Sequence, residues 1–265
     1  MKKSLCLLMI LISFISTFSD TTEVEIKQQG EAGNEFMKNS VITGNVMEFT
    51  ESVRHIRGNF RVENPQYILT AGQGMIDVKK DVMEANINVR LIQENNTLTC
   101  AKLIYYMAEE RAVATGNPKI VETVKDDSDK DIIFTTGEIT GDRIINYLKD
   151  DMVVVEDNVR VEKMKIEDGK QSFDYRLYCD NLTYYNKAQK AIAIGNVKIE
   201  QVESTAFGDR LVFYELENRV EIVGNAFIER DNGDKVYGEK IVYFMNGDRV
   251  LIFNAKAEVR PSIKQ

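Results

Sequence analysis

The chain has 265 residues, 43% of them apolar and 29% charged, enough to bury a sizeable core. Its 34 basic side chains are outnumbered by 42 acidic ones, a balance poorly suited to nucleic acid or an anionic bilayer. The single histidine, His55, leaves no pair of imidazoles for a metal and no Ser-His-Asp arrangement, and no phosphate loop or dinucleotide fingerprint occurs.

Residues 1–19 read as a secretory signal. Lys2 and Lys3 precede an apolar run from Ser4 to Phe18, and the small Thr17 and Ser19 place cleavage before Asp20. The run is short for a spanning helix, which needs about 20 residues. No small-residue lipobox follows Cys6. Cleavage would remove two lysines and no acid, so 32 basic and 42 acidic side chains remain. Residues 20–40 are polar and form a linker.

From Val41 onward the chain is strand-like: RVEIV (219–223), FIERD (227–231) and KVYGEKIVYF (235–244) alternate and favour β-branched and aromatic residues. Turn signals such as Asn232-Gly233-Asp234 and Asn246-Gly247-Asp248 separate the runs. No segment shows helical periodicity. The expectation is 16–20 short antiparallel strands.

One phrase recurs five times, opening at Cys100, Gly141, Cys179, Gly208 and Gly238. It runs small residue, two polar residues, Leu or Ile, an aromatic, a polar turn, an apolar alternation, then Gly-Asn. In four copies Asn117, Asn158, Asn196 and Asn225 close the phrase; in the fifth, Ala255 falls at that position. A weaker copy runs from Gly72 through Asn86 to Val89, after an isolated Gly44-Asn45-Val46. Such repeats bury their apolar faces against their neighbours. The recurrent Gly-Asn reads as a bulge or corner where a strand bends from one sheet to another.

Parity assigns the faces. Arg219, Glu221, Asn225 and Glu229 share one side; Val220, Ile222, Ala226 and Ile228 share the other. The same inward set takes Val197, Ile199 and Ile120, and the opening segments add Leu103, Ile144, Leu182, Leu211 and Ile241, with Phe213 beside them. A fixed aromatic stands three residues further on: Tyr106, Tyr147, Tyr185, Tyr214 and Phe244. Cys100 and Cys179 open copies separated by a third, too far apart for a disulfide, so two free thiols are expected. Asp127, Asp129, Asp131 and Glu138 echo a calcium loop, but Ile132 stands where glycine belongs, so a solvated charge run is the reading and no metal or cofactor is expected. Carboxylates fall at solvent parity, which argues against an enzyme. Arg54, Arg57 and Arg61 make the one basic stretch and are candidates for an anionic head group, or else a charged outer face.

The phrases GDRLVFYELENRVEIVGNAFIERDNGDKVYGEKIVYFMNGDRV (208–250) and CDNLTYYNKAQKAIAIGNVKIEQVESTAFGDRLVFY (179–214) resemble the OstA/LptA-like family of periplasmic lipopolysaccharide-transport proteins. The resemblance covers residues 100–259 and, more weakly, 41–99. It implies an elongated β-jelly roll over 41–265, two facing antiparallel sheets around an open apolar slot. It also implies a periplasmic carrier or bridge in which lipopolysaccharide or a similar glycolipid slides with its acyl chains shielded. Partners would be other jelly-roll components stacked edge to edge, or further copies head to tail. The chain is longer than the compact bridge protein and lacks the large barrel of the outer-membrane member. Two other readings stand beside the carrier: a secreted structural or adhesive β-solenoid, and an anchored LptC-like component of the same pathway.

Overall fold

The computed structural model describes residues 39–126, 133–167, 170–244 and 249–258. The signal segment, nearly all of the linker and Asp127, Asp129 and Asp131 lie outside them. No α-helix occurs among the described residues, and all the strand pairings given below are antiparallel. The chain is therefore all-β, as its alternation requires.

The first strands are β1 (Val41–Thr43), β2 (Val46–Phe49), β3 (Val53–Glu63), β4 (Ile68–Asp77), β5 (Val82–Gln93) and β6 (Asn96–Tyr106). Then come β7 (Arg111–Thr115), β8 (Lys119–Asp126), β9 (Ile133–Thr140), β10 (Arg143–Tyr147), β11 (Met152–Glu167) and β12 (Lys170–Tyr185). The last are β13 (Lys190–Gln201), β14 (Ser204–Tyr214), β15 (Arg219–Arg230), β16 (Lys235–Phe244), β17 (Arg249–Phe253) and β18 (Lys256–Glu258). The described residues divide into two compact units, one of 39–121 with 143–153, the other of 122–142 with 154–258.

In the first unit β2 to β7 pair in sequence and β10 pairs with β7, while β1 lies on β3 beside β2. In the second unit β12 to β17 pair in sequence, with β18 beside β17 on β16 and β9 paired to β11. Neighbours in sequence are thus neighbours in space, the simplest topology for a repeat.

The Gly-Asn step is a β-bulge. On β13, Gly195 and Asn196 both have positive φ (80° and 48°), and Ile194 faces Arg210 while Val197 faces Gly208, so two residues oppose one. Gly58-Asn59, Ile87-Asn88, Gly116-Asn117, Asp157-Asn158 and Gly224-Asn225 repeat the paired positive φ. Asparagine is the non-glycine residue that best tolerates this region, which explains its recurrence. On the bulged strand the inward residues Ala193 and Val197 are separated by three outward ones. On the adjacent β12, Cys179 and Leu182 are separated by only two. Consecutive outward residues on both strands mark the bulge, a feature that bends the strand carrying it.

Three readings of the repeat are corrected. The fifth copy does keep its asparagine: Asn254 (φ 52°), one position before Ala255, donates to Glu239 at 2.6 Å as Asn225 does to Asp209 at 3.0 Å. The spacing hid it because that copy is one residue shorter. In the weak copy the bulge falls at Ile87-Asn88 rather than at Asn86. The isolated Gly44-Asn45 is not a corner but the link between β1 and β2 that faces one: Asn59 donates to Asn45 at 3.1 Å.

Candidate functional site: an apolar lining and its uncovered edges

The lining is built by cross-strand register. In the first unit Met47, Ile56, Gly74, Ala85, Leu103, Ala114 and Ile144 form one row from β2 to β10. In the second, Leu182, Ala193, Leu211, Ile222, Ile241 and Ile252 form the corresponding row from β12 to β17. Such in-register neighbours on one face are the stabilising unit of a sheet.

Of the sequence-predicted lining, Leu103, Ile120, Ile144, Leu182, Val197, Leu211, Phe213, Val220, Ile222, Ala226 and Ile241 are buried. Ile199 and Ile228 are half-buried. Sequence reasoning missed Tyr105 and Tyr184, both inward and completely buried. Each stands one residue before the recurrent aromatic, at the place Phe213 takes in its copy. That recurrent aromatic faces the other way, because three residues beyond an inward Leu is outward. Arg111 lies over Tyr106 (4.2 Å), Arg219 over Tyr214 (4.0 Å) and Arg249 over Phe244 (4.5 Å). These cation–π pairs across the hairpin turns stabilise the outer face.

Side-chain volume is traded along the rows. A Cβ on Gly141 would lie 2.5 Å from Val155 Cγ1, and one on Gly238 would lie 2.5 Å from Ile252 Cγ2. Where the opening residue is Cys100 or Cys179, the residue fourteen positions on is Ala114 or Ala193. The cysteines are thus the larger half of a small–large exchange. Both are free, as expected, and buried. Burial pushes the Cys100 thiol up to about 11 and the Cys179 thiol up to about 12.

In each unit the apolar row ends in uncovered residues, on β2 in the first and on β17 in the second. Met47 and Phe49 on β2 have inward parity but are 38% and 65% exposed. On β17, inward Val250 is 41% exposed. The three arginines do not share a face. Arg57 and Arg61 point outward and pair with Glu48 (3.1 Å) and Glu63 (2.7 Å). Arg54 has the inward parity of Ile56 and stands opposite Phe49.

Polar groups are mostly accounted for. Arg176 bridges Glu162 (2.8 Å) and Glu200 (3.4 Å) on the outer face. The hydrogen bond from Arg176 holds the Glu162 carboxyl below its usual range. Half-buried Glu215 accepts a hydrogen bond from the Tyr184 hydroxyl at 3.0 Å, and burial raises its carboxyl above the usual range. Among the described residues no group of three or more His, Cys, Asp or Glu is placed to hold a metal.

No family model matches the sequence, and no curated protein matches it. Among solved structures, the chain is similar to LptH of Pseudomonas aeruginosa, described as the LptA-homologous periplasmic component of the conserved lipopolysaccharide transport device. The match has 19% identity and a TM-score of 0.37, and covers 49% of this chain and 82% of that one.

Proposed function

We propose that the protein is a periplasmic lipid carrier or bridge that shields the acyl chains of lipopolysaccharide or a similar glycolipid. The observation that carries this reading is the inward apolar face, continued from strand to strand by register and left uncovered at the edge strands. An acyl chain of about a dozen carbons exposes roughly 10 kcal/mol of apolar surface, at about 0.8 per methylene. A row of Leu, Ile, Val and Ala side chains offsets that cost with no deep trap, so a chain can slide. Through their backbones and apolar side chains the edge strands would pair with another jelly-roll component or a second copy. In this reading residues 1–19 are removed on export; an LptC-like anchored form would retain them.

Photo-crosslinking tests the lining. A photoreactive residue at Ile199, Leu211 or Ile222 should form adducts with lipopolysaccharide, and one at outward Lys198 should not. Adducts at Lys198 alone would sink the carrier. A second reading, a structural β-solenoid, is favoured by the complete burial of Tyr105, Tyr184 and Ala193, which fills part of the interior with the protein's own side chains. It predicts no adducts anywhere.

A further inference from the structure

We infer that Arg54 alone, of the three neighbouring arginines, is a ligand for the anionic head group of an amphiphile whose acyl chain lies along Met47 and Phe49. The inference rests on the carrier reading and places one lipid contact at one edge.

Arg54 stands at the second position of β3, in register with Phe49 on one side and Ile76 on the other. Its side chain therefore leaves the backbone on the apolar inward face, but at the strand's end, where it is exposed. Ile76 is buried whereas Phe49 and Met47 are not, so the apolar row runs from covered to uncovered at this point. An arginine stem lies well on apolar surface while its guanidinium reaches water. The two features together, an uncovered apolar strip and a cation at its end, match a molecule with an apolar tail and an anionic head.

Charge makes the assignment specific. Arg57 and Arg61 face outward and each holds a glutamate. Arg54 makes no ion pair among the described residues. Of the two carboxylates one register position away, Asp77 opposite Val53 is engaged by Lys80 at 3.1 Å and by the backbone N–H groups of Lys79 and Lys80, and Glu48 opposite His55 is engaged by Arg57 at 3.1 Å. Exposed Glu51 lies in the turn before β3. In a chain with 42 acidic side chains, a guanidinium left without a carboxylate beside apolar side chains is suited to a phosphate or carboxylate.

The test titrates the full-length protein by calorimetry, below the micelle concentration, with dodecyl phosphate and with the uncharged tetraethylene glycol dodecyl ether. Arg54→Gln should weaken dodecyl phosphate about threefold to fivefold, the range of an exposed ion pair, and leave the uncharged ether unchanged. Arg54→Lys should restore most of the loss, and Arg57→Gln and Arg61→Gln should change little. Met47→Ser with Phe49→Ser should weaken both amphiphiles. Inorganic phosphate alone should not saturate; binding of phosphate as tight as that of dodecyl phosphate would make this an anion site and overturn the proposal. Equal losses at all three arginines would also overturn it while leaving the carrier intact. No binding of either amphiphile would overturn both.

Discussion

Gly141 leaves room for Val155: a Cβ at position 141 would lie 2.5 Å from Val155 Cγ1 and 3.1 Å from the backbone oxygen of Glu156. The pair is one solution to a packing problem solved differently elsewhere in the chain, where Cys100 and Cys179 stand with Ala114 and Ala193. The relation is a volume exchange, and it can be tested directly.

Gly141→Ala should destabilise the protein by about 1–3 kcal/mol, as overpacking of a close-packed interior does. Val155→Ala alone should cost about 2–3 kcal/mol through a cavity. The double variant reproduces the arrangement of the cysteine copies, so its cost should fall clearly below the sum. Urea denaturation of the four chains gives the coupling energy, and strict additivity would refute the exchange.

The corners depend on the asparagines. Asn225 holds φ at 48° and donates to Asp209 at 3.0 Å. Asn225→Ala loses both the hydrogen bond and the tolerance of this backbone region, with an expected cost of about 1–2 kcal/mol. Asn225→Gly restores the backbone alone and should recover part of that cost. Equal stability of the Ala and Gly variants would mean that φ contributes nothing.

Glu215 gives a pH signature. Its folded carboxyl titrates above its ordinary 4.5 because burial disfavours the charge. The stability it contributes is therefore complete below about pH 4.5 and is lost as pH rises through the folded value. Glu215→Gln, which keeps an acceptor for Tyr184, should raise Tm at neutral pH and lose that advantage in acid. Glu162, held low by Arg176, has the opposite sign: its contribution is lost as pH falls. A Tm difference between wild type and Glu215→Gln that is flat from pH 4 to 8 would contradict the assignment.

The thiols of Cys100 and Cys179 should be silent in the native state. With both pushed far above neutral pH and buried, alkylation at pH 8 should be negligible on the folded protein and complete in urea. Peptide mass spectrometry resolves the two sites. Rapid native labelling of either would show that its strand opens readily.

Much of this was legible in the sequence, for local reasons. Alternation exposes parity, so Val220, Ile222 and Ala226 could be set against Arg219 and Glu221 without coordinates. Gly-Asn announced a corner because few residue pairs accept two consecutive positive φ values. The failures lie where a one-residue shift changes the outcome. Asn254 was missed because its copy is shorter, and Ile87-Asn88 because a β-branched residue in that region is unexpected; Gly72 opposite it, where a Cβ would come within 3.0 Å of Ile87 Cβ, supplies the space. Arg54, Arg57 and Arg61 read as one basic stretch, but Arg54 has the parity of Ile56 while Arg57 and Arg61 have the other, so alternation itself distributes them over two faces.

The asparagines of the repeat fall at 59, 88, 117, 158, 196, 225 and 254, the first six at bulges, so most intervals are 29 residues and two are 41 and 38. The longer intervals belong to the long hairpins of β8 with β9 and β11 with β12, while the corner itself keeps its local geometry. Growth thus falls between corners, as in the sixteen-residue strands β11 and β12, and a whole interval can be copied without disturbing the next. A chain organised in this way can lengthen or shorten by duplication and deletion of whole turns of the pattern, its reach set by copy number rather than by redesign of its packing.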